Sequence, residues 1–123
     1  MISLNAILPA GSMRAKAEIY ARRSVRREHA HPLMACLVTT NSDSRSYPAK
    51  PRNVSLGGMA FSFPIQLAPN TVFYVALTNA QCLFMVDRAA EVRYTYEGDS
   101  GCWVTGCEFL KPLTNEELRI LLA

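Results

Sequence analysis

Two periods of hydrophobic residues run along this chain, and the change from one to the other divides it. From His31 to Leu110 the apolar positions alternate with polar or small ones, or form short runs rich in β-branched residues, as strands require. "HPLMACLVTT" (31–40) is the first such run, followed by the turn-rich "NSDSRS". "YPAKPRNVS" (47–55) is extended in character. Its two prolines cannot donate ladder hydrogen bonds, which predicts a sheet edge or a bulge. "GMAFSF" alternates Met59, Phe61 and Phe63 with small or polar residues. "TVFYVALT", "CLFMV", "AAEVRYTY" and "CWVTGCEFL" follow as strands, separated by turn signals at "APN" and "NAQ" and by "EGDSG", a strong hairpin turn. Gly106, inside the last strand, predicts a bend or a close backbone approach.

The C-terminus switches to the helical period. In "LTNEELRILLA", Thr114 stands at an N-cap position, with Glu116 and Glu117 in a first turn where the helix dipole favours anions. Leu113, Leu118, Leu121 and Leu122 gather on one face. About six short strands with hairpin-like connections and one amphipathic helix predict a mainly all-β fold, a small antiparallel barrel carrying a C-terminal α-helix. Residues 13–28 hold good helix formers without Gly or Pro and read as a short helix or a charged arm.

With 123 residues, half of them hydrophobic and 19% charged, the chain suits one folded domain. A formal net charge of +3 is far from the balance of a general nucleic-acid binder. No apolar run approaches the roughly 20 residues of a membrane helix. Residues 1–12 lack the basic n-region and cleavage site of a signal peptide, and the expectation is a cytoplasmic protein with reduced thiols. The "GSM" at 11–13 reads equally as a tag remnant before a start methionine.

Charge is concentrated in one place. "RRSVRR" (22–27) holds Arg22, Arg23, Arg26 and Arg27, four of the thirteen cationic residues. Like charges at i, i+4 repel on a helix, so such a cluster suits an anionic partner or, more blandly, a solvated face. His29 and His31 lie beside it without the signature of a catalytic triad. The histidines, with Cys36, Cys102 and Cys107, lack the tight pairs of a structural zinc site, and all four cysteines sit in apolar runs as core thiols. "NVSLGG" (53–58) adds two short polar side chains, Asn53 and Ser55, spaced to share one side of an extended strand. Gly57 and Gly58 then allow a turn or a close ligand approach.

An R-x-x-x-R cluster some thirty residues before N-x-S-x-x-G, with strands between and after, resembles the PilZ domain family. The resemblance continues through "NVSLGGMAF", "EVRY" and "VTGCEFL", covering residues 21–123 and leaving 1–20 as an N-terminal extension or arm. It implies a six-stranded antiparallel barrel with a C-terminal helix and a receptor for cyclic di-GMP, a bacterial second messenger. It implies no enzymatic activity, no metal and no cofactor beyond that ligand. Guanidinium groups suit this ligand because they bond phosphates and guanine edges bidentately and stack on bases.

Two frames overlap, Arg22 with Arg26 and Arg23 with Arg27. The family pattern favours Arg23 and Arg27 as the core pair, with Arg22 as the preceding residue that goes with an intercalated ligand dimer. Asn53 and Ser55 would meet a guanine edge while Gly58 keeps the turn open, and Arg93 and Tyr94 would add contacts from a later strand. The implied mechanism is ordering of the arginine arm by ligand, which presents a surface to a protein partner. Two alternatives accompany it: an adaptor working by protein contacts without ligand, and a small nucleic-acid-binding barrel using the same arginines.

Overall fold

The computed structural model describes residues 28–40 and 43–123. The arginine cluster, the extension 1–20 and most of the 13–28 segment lie outside them; Glu28, the end of that segment, is in a strand. Among the described residues there are seven strands: β1 (Glu28–His29), β2 (Ala35–Thr40), β3 (Asp43–Val54), β4 (Gly58–Phe63), β5 (Val72–Thr78), β6 (Met85–Glu97) and β7 (Trp103–Phe109). One helix, α1 (Asn115–Leu122), follows them. Six strands close a barrel in the order β3-β2-β5-β6-β7-β4, with β4 pairing back onto β3. Every pairing is antiparallel. β1 adds a two-residue ladder on the end of β3.

The alternation read in the sequence is the inside–outside alternation of this barrel. Cys36 and Val38 point inward from β2, Phe73, Val75 and Leu77 from β5, and Met59, Phe61 and Phe63 from β4. Phe61 meets Phe63 and Phe73 edge-to-face, with centroids 6.0 and 5.8 Å apart. Truncating such a ring to alanine costs about 3–5 kcal/mol, so this trio is a main source of the barrel's cohesion.

Two strands differ from the expected lengths. β3 begins at Asp43, inside the stretch expected to be a turn, and runs through Pro48 and Pro51. It tolerates the prolines because it changes partners there: β2 pairs with it as far as Ala49, and β4 takes over from Lys50. A register shift between Pro51 and Asn53 is the bulge that the prolines predict. "CLFMV" and "AAEVRYTY" are not two strands. Met85–Glu97 is one strand of 13 residues, and Cys82 sits in the preceding turn with φ 59°. Asp87 and Arg88, which look like a break in sequence, belong to the part of β6 that pairs with β5.

Leu113 and Leu121 are buried against the barrel core, with Leu118 and Leu122 packed beside them. Thr114 Oγ1 accepts from Glu117 N at 3.0 Å, and Glu117 Oε1 accepts from Thr114 N at 2.9 Å, a complete capping box. Arg88 ties this helix to β6. Its Nη2 donates to Glu117 Oε1 at 2.5 Å, and its Nε donates to Lys111 O at 3.0 Å.

Candidate functional site

β3 ends at Val54, and the chain then turns through Ser55–Gly58 into β4. Ser55 closes this turn twice: its N donates to Gly58 O at 2.8 Å, and its Oγ donates to the same oxygen at 3.2 Å. Two further bonds fasten the turn to the end of β7 and to the segment after it. Leu113 N donates to Leu56 O, and Phe109 N to Gly57 O, both at 2.8 Å. The turn is therefore built into the barrel rim and rigidly joined to the approach to α1.

Gly58 is fixed by packing rather than by conformation. A Cβ built there falls far inside contact of the Cys107 carbonyl oxygen, and 3.2 Å from both Cys107 C and Glu108 Cα. β7 passes too close to admit any side chain. Gly57, its neighbour, has nothing within 4 Å of such a Cβ. Asn53 is the penultimate residue of β3 and Ser55 the first residue beyond it, facing Gly58 across the turn. Asn53 is half-buried, and Ser55 is 1% exposed.

Register assembles what the sequence spreads apart. His29 pairs with Asn53, Asn53 with Ala60, Ala60 with Gly106, and Gly106 with Tyr94. These five residues form one row across β1, β3, β4, β7 and β6. Their neighbours Val54, Met59, Cys107 and Val92 point into the core, so the row lies on the outer face. Its middle is Ala60 and Gly106, small residues that are themselves buried, and the Tyr94 ring beyond them is 4% exposed. Tyr94 lies over Gly106, where a Cβ would come within 2.5 Å of Tyr94 Oη. This is the close approach that Gly106 predicts. Tyr94 also stacks on Tyr96, with centroids 6.4 Å apart and planes 14° off parallel. A bulge between Val92 and Tyr94 shifts the alternation, turning Tyr94 outward and Thr95 inward.

Two cations flank the row. Arg93, the bulge residue, is held by carboxylates: Nη1 lies 3.3 Å from Glu91 Oε2, and Nε donates to Glu108 Oε1 at 2.9 Å, with Nη2 on the same oxygen. Glu108 is itself opposite Gly58. Arg52, not singled out in the sequence, is exposed beside Asn53, and its Nη1 reaches Ser62 Oγ at 3.4 Å. The signal for it was adjacency in "PRNVS". Ala30 N donates to Arg52 O at 3.1 Å, extending the β1 ladder. Arg22, Arg23, Arg26 and Arg27 lie outside the described residues.

The thiols are divided between core and surface. Cys36 and Cys107 are buried, Cys102 is half-buried and Cys82 is exposed, so the expectation of four core cysteines holds for two. Burial, with Cys107 close by, pushes the Cys36 thiol well above its ordinary range. Among the described residues no three His, Cys, Asp or Glu side chains gather as a metal site would need. No helix there is long and apolar enough to cross a membrane.

Among solved structures, Escherichia coli YcgR in complex with c-di-GMP superposes with a TM-score of 0.63 at 21% identity, over 80% of this chain and 42% of that one. The Bacillus subtilis inhibitor of motility MotI/DgrA gives 0.62 at 14% identity, over 81% and 47%. The MrkH–c-di-GMP complex of K. pneumonia gives 0.57 at 15% identity, over 80% and 49%. The chain thus spans less than half the length of these proteins, which share its fold. A comparison with curated proteins gave no significant match. The family model for the PilZ domain matches residues 21–123, and with the closed six-stranded barrel and its C-terminal helix, the chain belongs to the PilZ domain family.

Proposed function

We propose that this chain is a cyclic di-GMP receptor that binds the dinucleotide between the arginine segment and the Asn53–Tyr94 face. The observation that carries the reading is the β1 ladder. Glu28 pairs with Val54 and His29 with Asn53, so the chain leaving the arginines is fastened directly to the N-x-S-x-x-G turn. A trans peptide sets Arg27 Cα about 3.8 Å from that of Glu28, and even a fully extended chain keeps Arg23 within roughly 17 Å of it. The two motifs, far apart in sequence, are neighbours by connectivity. The solved complexes of YcgR and MrkH with c-di-GMP support the choice of ligand.

Each part then has a task. Arg23 and Arg27 grip phosphate or guanine O6/N7, while Arg22 and Arg26 add charge and Arg22 favours a second, intercalated ligand. Asn53 offers its amide to a guanine edge, and Ser55 keeps the turn closed. Gly57 and Gly58 leave the rim bare, and the small Ala60 keeps the strand beside Asn53 low. A stacked aromatic contributes about 1–3 kcal/mol per base. Arg93 contributes field at the site and must exchange a carboxylate to touch the ligand. Neutralising the crowded arginines draws their segment onto the barrel and creates a surface for a protein partner. No covalent step is involved, and the reading assigns no catalysis.

Titration calorimetry with cyclic di-GMP tests the proposal. Binding is expected in the wild-type chain. Arg23→Ala or Arg27→Ala is expected to weaken it at least tenfold, since a charge-assisted bond is worth about 1.5–3 kcal/mol. No heat at tens of micromolar ligand overturns it. Binding of random DNA or RNA that ignores the dinucleotide and falls steeply with salt would instead favour a nucleic-acid-binding barrel.

A further inference from the structure

Two bulges border the candidate face, and each sets an arginine beside one of its residues. On β6 the shift between Val92 and Tyr94 leaves Arg93 as the extra residue, and on β3 the shift between Pro51 and Asn53 leaves Arg52. An extra residue breaks the strict alternation of a strand and re-aims the side chains next to it. On β3 the effect is plain. Pro51 pairs with the inward Phe61, Asn53 pairs with Ala60 on the outer face, and Arg52 between them reaches outward to Ser62 Oγ. Ser62 is on the outer face because Phe61 and Phe63, on either side of it, are core residues.

The two arginines differ in what holds them. Arg93 is met by the carboxylates of Glu91 and Glu108. Arg52 is exposed and has no carboxylate partner among the described residues; its Nη1 donates to Ser62 Oγ at 3.4 Å, a long bond. Exposed Lys50, opposite Ser62 in the register and two residues before Arg52, is likewise without an ion pair among the described residues. Two cations thus stand beside Asn53 where an incoming anion relieves their mutual repulsion. The face is also open at this end. His29 and Arg52 are exposed and Asn53 is half-buried, whereas Ala60, Gly106 and Tyr94 further along the row are buried. A ligand laid on the barrel therefore meets β1 and β3 first. Ala30 N donates to Arg52 O, so Arg52 is fastened beside the chain that leaves the arginine segment.

We infer that Arg52 is a ligand-binding residue of this chain and grips a phosphate of the nucleotide whose guanine edge meets Asn53, with Lys50 adding charge beside it. The inference rests on the proposed cyclic di-GMP reading and adds to it a phosphate contact from the barrel itself, which neither sequence motif contains. The chemistry divides between the two neighbours. The guanidinium fork offers two parallel donors to phosphate oxygens, and leaving Ser62 for them exchanges a long bond to a neutral hydroxyl for a charge-assisted pair. The Asn53 amide, with an acceptor and a donor side by side, suits a base edge instead.

Titration calorimetry with cyclic di-GMP across a salt series tests this. The wild-type chain is expected to bind less tightly as salt rises. Arg52→Gln is expected to weaken binding about tenfold at low salt and to flatten its salt dependence, because screening no longer acts on the lost charge pair. Arg52→Lys is expected to keep the salt dependence but not the affinity, since it supplies the charge without the fork. Arg45→Gln removes the same charge near the far end of β3 and is expected to change neither. Circular dichroism melts check that each variant folds; a purely structural part for Arg52 would lower the melting temperature and leave the salt dependence alone. Wild-type affinity and salt dependence in Arg52→Gln overturn the inference and leave the cyclic di-GMP reading standing. So do equal losses in Arg52→Gln and Arg45→Gln, which would mean a general field rather than a contact. No binding by the wild-type chain overturns the reading itself, and the phosphate contact with it.

Discussion

Gly57 and Gly58 are adjacent, identical and both part of the N-x-S-x-x-G turn, yet the structure separates them sharply. Gly58→Ala drives a methyl group into the backbone of β7 at Cys107, a neighbour that cannot swing aside as a side chain tip could. Relief requires β4 and β7 to part by about an ångström, given an ordinary carbon–oxygen contact of roughly 3.4 Å. That parting strains the Gly58–Glu108 register and the Phe109 N to Gly57 O bond beside it. Overpacking costs about 1–3 kcal/mol, and weakening one backbone bond adds about 1. The expected loss is about 3 kcal/mol, or a Tm lower by roughly 10–15 °C for a domain of this size. Gly57→Ala meets open space and no left-handed φ, so it is expected to change stability by less than about 1 kcal/mol, in the stabilising direction. Thermal melts followed by far-ultraviolet circular dichroism, repeated with urea, read both. Equal effects of the two substitutions, or a harmless Gly58→Ala, would refute the claim that β7 packing dictates this glycine.

Three more outcomes follow from the core and the helix cap. Thr105 Oγ1 is buried between β4 and β6 without a hydrogen-bond partner among the described residues, so Thr105→Val is expected to raise stability by about 1 kcal/mol in urea unfolding; destabilisation would mean the hydroxyl is satisfied. The Thr114 backbone N–H, and then the Arg88 guanidinium, hold the Glu117 carboxyl below its ordinary range. The unfolded chain therefore takes up this proton first on acidification, and the contribution is present above the usual carboxylate pKa and lost as pH falls through the lower folded value. Glu117→Gln should flatten the acid side of the stability profile measured by urea midpoints, and an unchanged slope would remove the cap from the account. Cys82 should react with a thiol reagent in the folded chain while Cys36 stays protected until unfolding, read by mass spectrometry; early labelling of Cys36 would contradict its burial.

Much of the barrel was legible because its strands have one wet face. Met59-x-Phe61-x-Phe63 and the Thr114–Glu117 cap each carry their structure in a few adjacent residues. β6 was not, because Asp87 and Arg88 look like a break when their burial is unknown; Arg88 is tucked beneath α1, where its charge is met by Glu117 and a carbonyl. The site was legible by motif only in part. Asn53 and Gly58 could be singled out from local spacing, but the place of Ala60 and Gly106 between Asn53 and Tyr94 exists only through register across four strands. Ser55 could be singled out in the same way, while the two hydrogen bonds it makes to Gly58 O are seen only in the folded turn. Arg93 could be singled out from "EVRY", which also contains one of the carboxylates that hold it, Glu91; the other, Glu108, comes from the neighbouring β7 and is not written there.

The most direct test of a single face shared by the arginine segment and the Asn53 turn is an amide chemical-shift titration of the labelled chain with cyclic di-GMP. The account predicts that the largest changes fall on His29, Asn53, Gly57, Ala60, Gly106 and Tyr94, with the outer positions of β2 and β5 unmoved. No saturable change, or changes centred on Leu37 and Tyr74, would contradict it.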